Sequence, residues 1–196
     1  SLGSCYAVSL EDLDLRGGGS AFGYKQSGSA GKVGFELYNR FLEEAINTVS
    51  QKKSFICTVS MNSSTHIPEK YISSPRLRVW LYKEVSSILS LSALFSFKKK
   101  TKSMFGKFPN SLDNLFFLKY LEILGALCFF SKIEFKAGFF FVSLDPFFWK
   151  NKIDSLFNAL IGFKFVLVDG GKVLKINASN KEFKLLLENV YDKIKN

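Results

Sequence analysis

The stretch Leu115 to Phe130 constrains the fold more than any other part of the chain: it is almost wholly apolar, interrupted by Lys119 and Glu122. A membrane-spanning helix needs roughly 20 largely uncharged residues. This stretch is shorter and carries two charges, so it reads as a core helix and not as an anchor. Pro109 begins that helix, and Leu112, Leu115, Phe116, Tyr120, Ile123 and Leu127 recur on its buried side at spacings of three and four. A helix this apolar has to be enclosed by other elements. The chain has the material for it: 196 residues, 47% hydrophobic and 22% charged. That bounds it as one large domain or two small ones with a packed core, and excludes wholesale disorder.

The enclosing elements follow from local signals. Phe35, Tyr38, Leu42, Ala45 and Val49 repeat at helical spacing, with Glu36, Arg40, Glu43, Glu44 and Asn47 on the other faces. A shorter helix is predicted over Val8 to Leu15, stopped by Gly17-Gly18-Gly19, since each glycine costs a helix about 1 kcal/mol. Phe55 to Met61 is β-branched and alternating, hence a strand. Ser74-Pro75 caps a helix carrying Leu77, Leu81, Val85 and Ile88, and a further helix covers Ser92 to Met104 until Gly106. Ile133–Phe135 and Phe139–Val142 flank Ala137-Gly138, while Lys164–Val168 and Lys172–Ile176 flank Asp169-Gly170-Gly171. Both are hairpin signals. Phe147 to Leu160 is predicted helical, with Phe147-Phe148-Trp149 as a buried cluster or, alternatively, an interaction anchor. Ser179 caps a last helix through Phe183, Leu186, Leu187, Val190 and Ile194. Helices and hairpins without a βαβ rhythm give the class α+β.

Charge divides the chain. Residues 1–50 carry four basic side chains against six acidic ones, a net of −2, whereas the whole chain carries +10, so the remainder carries +12. The glycines Gly17, Gly18, Gly19, Gly23, Gly28, Gly31 and Gly34 also crowd the first part. Two pieces are therefore expected, 1–53 and 54–196. A basic second piece favours a polyanionic partner. Its densest run is Lys98-Lys99-Lys100-Thr101-Lys102, a set of candidate DNA or docking contacts that also reads as a solvated helix face.

Several chemistries are poorly supported. Cys5, Cys57 and Cys128 lie far apart and His66 is the lone histidine, so neither a metal site nor a disulfide framework is indicated. Glu43 and Glu44 are adjacent on a helix and do not face each other, so no catalytic pair is expected there. A phosphate loop needs G-x-x-x-x-G-K-[ST], but Gly31-Lys32 is followed by Val33, and Gln26 stands at the first glycine position. No catalytic residue and no cofactor are thus expected in this chain. The first residues have no basic flank before Glu11-Asp12, so no signal peptide is expected and a reduced, cytoplasmic setting is.

One string remains: Asp12-Leu13-Asp14-Leu15-Arg16-Gly17-Gly18-Gly19, Gly23, Gln26-Ser27-Gly28 and Gly34-Phe35-Glu36-Leu37-Tyr38. It resembles the motif that follows the last helicase motif in double-stranded DNA translocases, the RecG-type helicases and the transcription-repair coupling factors. Arg16 and Gln26 match its key polar positions, with Gly17, Gly19, Gly23 and Gly28 supplying loop freedom. Gly18 and Ser29 depart from the usual pattern. From the residues alone, Arg16 also has an alternative reading as a loop staple to Asp12 and Asp14. A second set separates the two relatives: Ile67-Pro68-Glu69-Lys70-Tyr71-Ile72, Arg76-Leu77, Leu81-Tyr82-Lys83, Phe105-Gly106, Pro109, and Asn114-Leu115 with Leu118-Lys119. It is similar to the C-terminal domain of the coupling factors, which the RecG type lacks.

The resemblance implies that 1–53 ends a second helicase lobe and couples ATP hydrolysis to translocation, and that 54–196 is a C-terminal regulatory domain. It implies ATP and magnesium as cofactors of a full-length protein, not of this part. The implied partners are double-stranded DNA, RNA polymerase and UvrA through that longer protein, and an N-terminal UvrB-like module for 54–196, with no membrane. Two rivals stay open: a basic nucleic-acid-binding accessory domain, and the tail of a RecG-like helicase.

Overall fold

The computed structural model describes residues 30–49 and 55–195. The predicted helix at 8–15, the glycine-rich loop and the 1–53 motif residues Arg16, Gln26, Gly17, Gly19, Gly23 and Gly28 lie outside them. The described elements run α1 (Ala30–Val49), β1 (Thr58–Met61), α2 (Pro75–Ser87), α3 (Leu91–Phe105), α4 (Asn110–Leu127), β2 (Phe130–Lys136), β3 (Phe139–Leu144), α5 (Pro146–Trp149), α6 (Ile153–Ala159), β4 (Lys164–Val168), β5 (Val173–Asn177) and α7 (Asn180–Lys195). Seven helices and one five-stranded mixed sheet among the described residues make the fold α+β, as expected.

Local chemistry sets most boundaries. The Ser74 hydroxyl accepts from the Leu77 amide, and Pro75 stands where a missing N–H costs nothing. Ser90 caps α3 through the Ala93 amide, and Gly106 closes it at φ 82°. At α7, Ser179 and Glu182 exchange bonds: the Ser179 amide donates to Glu182 Oε2 at 2.7 Å and the Glu182 amide to Ser179 Oγ at 3.3 Å. That reciprocal cap satisfies two donors that a helix start leaves open. It also holds the Glu182 carboxyl below its ordinary pKa. The β2–β3 turn needs positive φ at both central residues, which Ala137 (51°) and Gly138 (80°) supply.

Strand order is β1-β2-β3-β5-β4. β2–β3, β3–β5 and β4–β5 are antiparallel, whereas β1 pairs parallel to β2, with Thr58 opposite Lys132. Alternation sends Ile133, Phe140, Val142, Leu174 and Ile176 to one face, all buried. Helix α4 covers that face at β1 and β2. From α7, Phe183 stacks on Phe140 with centroids 3.8 Å apart and planes 4° from parallel. The apolar stretch at 115–130 is indeed the central helix, with Leu112, Leu115, Leu118, Leu121 and Leu124 essentially without exposure.

Three expectations change. The strand at 55–61 is paired only from Thr58. The helix at 147–160 is two pieces, with Asp145 capping the first through the Phe148 amide and Lys152, at φ −127°, breaking the helix before Ile153. The cluster 147–149 is divided as well. Trp149 is buried against Phe130, Phe148 stacks on Phe129 at 3.7 Å, and Phe147 is 91% exposed.

Gly125 stands where α4 packs tightly on Cys57, just before β1, and on Ile133 of β2. A Cβ there would lie 2.6 Å from Cys57 Sγ and 2.9 Å from Ile133 Cδ1. Gly125→Ala is expected to destabilise the fold by about 1–3 kcal/mol through overpacking, read as a lower midpoint in urea unfolding. Adding Cys57→Ala should recover part of that loss. A Gly125→Ala midpoint equal to that of the parent chain would contradict this packing.

Candidate docking surface

The scattered residues of the second motif set converge on one corner of the molecule. Tyr82, buried on α2, accepts the Ile67 amide at 2.8 Å and donates to the Thr65 carbonyl at 3.4 Å. Burial pushes its phenol up to about 12. Arg78 Nη1 donates to the carbonyls of Ile72 and Ser73 at 2.7 and 2.9 Å, closing the segment that leads into α2. Tyr71 packs on Phe105 at 6.3 Å and donates to the Gly106 carbonyl at 3.4 Å. Asn114 Nδ2 reaches the Ser64 carbonyl at 3.0 Å. These residues build the corner; they do not line a reaction cleft.

Helix α3 displays the basic run on this corner, and the run is not uniform. Leu94 and Thr101 face the core, with Thr101 Oγ1 bonded to the Phe97 carbonyl at 2.9 Å. Lys98 lies between them and bridges to α4: its Nζ is 2.8 Å from Asp113 Oδ1 and within 6 Å of the Phe108 and Phe116 ring centres. Lys98 is therefore committed to holding α3 on α4. Lys99, Lys100 and Lys102 are exposed and carry the outward charge. Beside them lies a cleft of about 110 Å³ lined by Phe95, Lys98, Phe117, Tyr120 and Lys184. Phe95 is 53% exposed and rests against Tyr120. Tyr120 donates to Glu188 Oε1 at 2.6 Å, which with burial raises its pKa.

The two charges of the apolar stretch form a buried polar group, a pairing that the sequence reading did not draw. Lys119 and Glu122 are 2% and 6% exposed, and their charged atoms are 3.2 Å apart. Lys119 Nζ also donates to the Ser86 carbonyl of α2 at 2.8 Å. Tyr38 of α1, fully buried, donates its hydroxyl to Glu122 Oε2 at 2.6 Å. Burial raises the Glu122 pKa, while Lys119 and Tyr38 oppose that rise by stabilising the carboxylate. The readable signal was opposite charges three apart inside an apolar helix, a spacing at which side chains meet. Three helices are thus tied to one buried ion pair.

No group of three or more His, Cys, Asp or Glu residues suited to a metal occurs among the described residues. Cys57 and Cys128 are buried and burial raises both thiols, the opposite of what a nucleophile needs. His66 meets Ser64 Oγ at 2.7 Å in a loop. No described helix is long and apolar enough to cross a membrane.

Comparison with known proteins gives one family. The model of the TRCF domain matches residues 61–151. The transcription-repair-coupling factor of Rickettsia bellii (strain RML369-C) is 33% identical over 139 residues, covering 68% of this chain and 12% of the relative. That of Bacillus subtilis (strain 168) is 27% identical over 126 residues, covering 62% and 11%. The chain therefore spans about an eighth of the length of the curated relatives it matches. The crystal structure of a transcription-repair coupling factor C-terminal domain superimposes with a TM-score of 0.59 at 16% identity, covering 74% of this chain and 94% of that one, which establishes likeness of fold.

The buried group generates a stability prediction. Lys119→Met alone leaves the Glu122 carboxylate buried and is expected to cost about 3–5 kcal/mol. Lys119→Met with Glu122→Leu should recover most of that loss, because a volume-matched apolar pair replaces the ion pair at little cost. Tyr38→Phe removes one hydrogen bond to a charged group, worth about 1.5–3 kcal/mol. Urea unfolding of the three variants checks the order, and a double variant no more stable than Lys119→Met would contradict it.

Proposed function

At 33% identity to a coupling factor over 68% of its length, the chain belongs to the transcription-repair coupling factor family, and on that premise we propose that it works as the C-terminal part of a longer DNA-translocating repair protein. In this reading the whole protein is an ATP-driven translocase on double-stranded DNA in the cytoplasm. It removes RNA polymerase stalled at a lesion and recruits UvrA for excision repair. Residues 1–53, with Arg16 and Gln26 at the polar positions of the motif, couple ATP hydrolysis to movement. Arginine suits that role because its charge is permanent and its planar fork matches phosphate. ATP and magnesium belong to the longer protein.

Residues 54–196 act by docking, not catalysis. They pack on an N-terminal UvrB-like module of the same protein and keep its UvrA-binding surface covered until the motor engages. The observation that carries this is the convergence of the TRCF-domain residues on one corner. Ile67, Tyr71, Tyr82, Phe105-Gly106 and Asn114 hold α2, α3 and α4 together, and α3 displays Lys99, Lys100 and Lys102 outward beside the exposed Phe95. A charged rim around an aromatic side chain suits a reversible protein contact, where rim charges set approach and a few anchors set affinity.

The test is a binding titration of this chain against the isolated UvrB-like module by calorimetry. Binding is expected, with Phe95→Ala or the charge reversal Lys99→Glu with Lys102→Glu weakening it by at least about tenfold. The chain alone is expected to show no DNA-stimulated ATP hydrolysis. Measurable hydrolysis, or salt-dependent duplex binding by 54–196 without affinity for the module, would replace this reading with that of a nucleic-acid-binding accessory domain.

A further inference from the structure

The side of the sheet turned away from α4 is built differently from the core side. The alternation that buries Phe140, Val142, Leu174 and Ile176 brings Phe139, Phe141, Lys175 and Val166 to this outer face. None of these four is buried, and Val166 is 60% exposed. Phe139 and Phe141 lie two residues apart on β3, the middle strand, so their rings are spaced by about 7 Å along it. Lysines surround them. Lys175 Nζ is 4.2 Å from the Phe139 ring centre and 5.8 Å from that of Phe141, and Lys136 Nζ is 4.7 Å from the Phe141 ring. Lys132 lies one cross-strand row further along and Lys164 on the outer strand, both exposed. The acidic residue of this face, Glu134, already bonds Lys132 at 2.9 Å and Lys136 at 3.8 Å.

We propose that this outer face binds single-stranded nucleic acid, with Phe139 and Phe141 stacking two successive bases and Lys132, Lys136, Lys164 and Lys175 meeting the flanking phosphates. Two partly buried phenylalanines at the centre of this sheet face carry lysine ammoniums over their rings. A ring face that attracts an ammonium is equally a stacking platform for a base, and every base has such a face, so binding of this type tolerates sequence. The four lysines exceed the one carboxylate, so the face has a surplus of positive charge for a polyanion. A duplex is the poorer occupant, because its bases are already stacked on each other and a sheet face this broad does not enter a groove. An acidic peptide would satisfy the lysines and leave both rings uncovered. The face is separated from the α3 surface by α4 and the sheet itself, so the proposal does not depend on the docking reading.

Fluorescence anisotropy of the 196-residue chain, with a labelled oligothymidylate of about 12 nucleotides, tests the inference against a duplex hairpin and a poly-glutamate peptide. The single strand is expected to bind most tightly, with an affinity that falls steadily as salt rises. Phe139→Ala and Phe141→Ala should each weaken it at least about fivefold, while Phe141→Tyr keeps the ring and the affinity. Lys132→Glu with Lys164→Glu changes only exposed side chains, so it tests the face even if an alanine variant unfolds, and it should also weaken binding. Equal or tighter binding of the duplex, affinity unchanged in these variants, or poly-glutamate binding as tightly as the oligonucleotide would overturn the proposal. The last outcome would identify the face as a contact for an acidic protein. Charge reversal at Lys99 and Lys102 should leave oligonucleotide affinity unchanged, which separates this outcome from that of the docking test.

Discussion

A lysine and a glutamate sit almost dry at the centre of this fold, and the helices around them are arranged so that neither charge is left alone. Lys119 and Glu122 occupy one face of α4, whose other faces are leucine and aromatic. Removing two charges from water costs several kcal/mol each, so such a pair persists only when further hydrogen bonds complete it. The Ser86 carbonyl completes it from α2 and the Tyr38 hydroxyl from α1. An apolar core accepts many relative shifts of its helices at modest cost. This one does not, because sliding α1 or α2 by a turn would strip a partner from a buried charge. The pair therefore acts more on the uniqueness of the arrangement than on its net stability.

What the sequence discloses and what it hides follow a physical division. Features governed by neighbours in the chain were readable: Ser74-Pro75 as a cap, Ala137-Gly138 as a turn, Ser179 as the start of α7, and the enclosed character of 115–130. Features governed by distant partners were not. Nothing near Thr58 announces that it lies beside Lys132 in parallel, since parallel pairing has no turn of its own to mark it. Phe147 and Trp149 share a composition and differ completely in burial, because the short α5 turns one toward Phe130 and the other to solvent. Of the basic run, Lys98 proved a strut because Asp113 and two rings lie across from it, none of them adjacent in sequence. The residues of the second motif set were legible because they are the ones the corner needs. Tyr82 and Tyr71 tie loop backbone to the helices through their hydroxyls.

The molecule presents two faces with different physics. On the helical side, α3 offers exposed ammonium groups near one exposed ring, with the Lys98–Asp113 ion pair fixing it to α4. On the sheet side, rings are flat, regularly spaced and fixed by the strand register, with lysines standing over them. The first arrangement suits a partner that brings its own shape. The second suits one that is repetitive along its length. Because α4 and the sheet lie between them, each face can be altered without the other being touched.

The parallel pairing of β1 with β2 also bears on how the chain is made. Thr58 and Lys132 are partners across 74 residues of sequence, and among the described residues β1 has no other strand to pair with. A chain leaving the ribosome in order must therefore complete α2, α3 and α4 and begin the β2–β3 hairpin before β1 has anything to join. Closing so long an excursion is slow compared with forming the local hairpins. The β1–β2 pairing therefore carries the longest loop closure of the sheet, while the antiparallel β2–β3 and β4–β5 pairs close locally. Every residue of α2, α3 and α4 lies inside that one closure, so the edge pairing of β1 ties the helices between the strands into a single loop of the sheet.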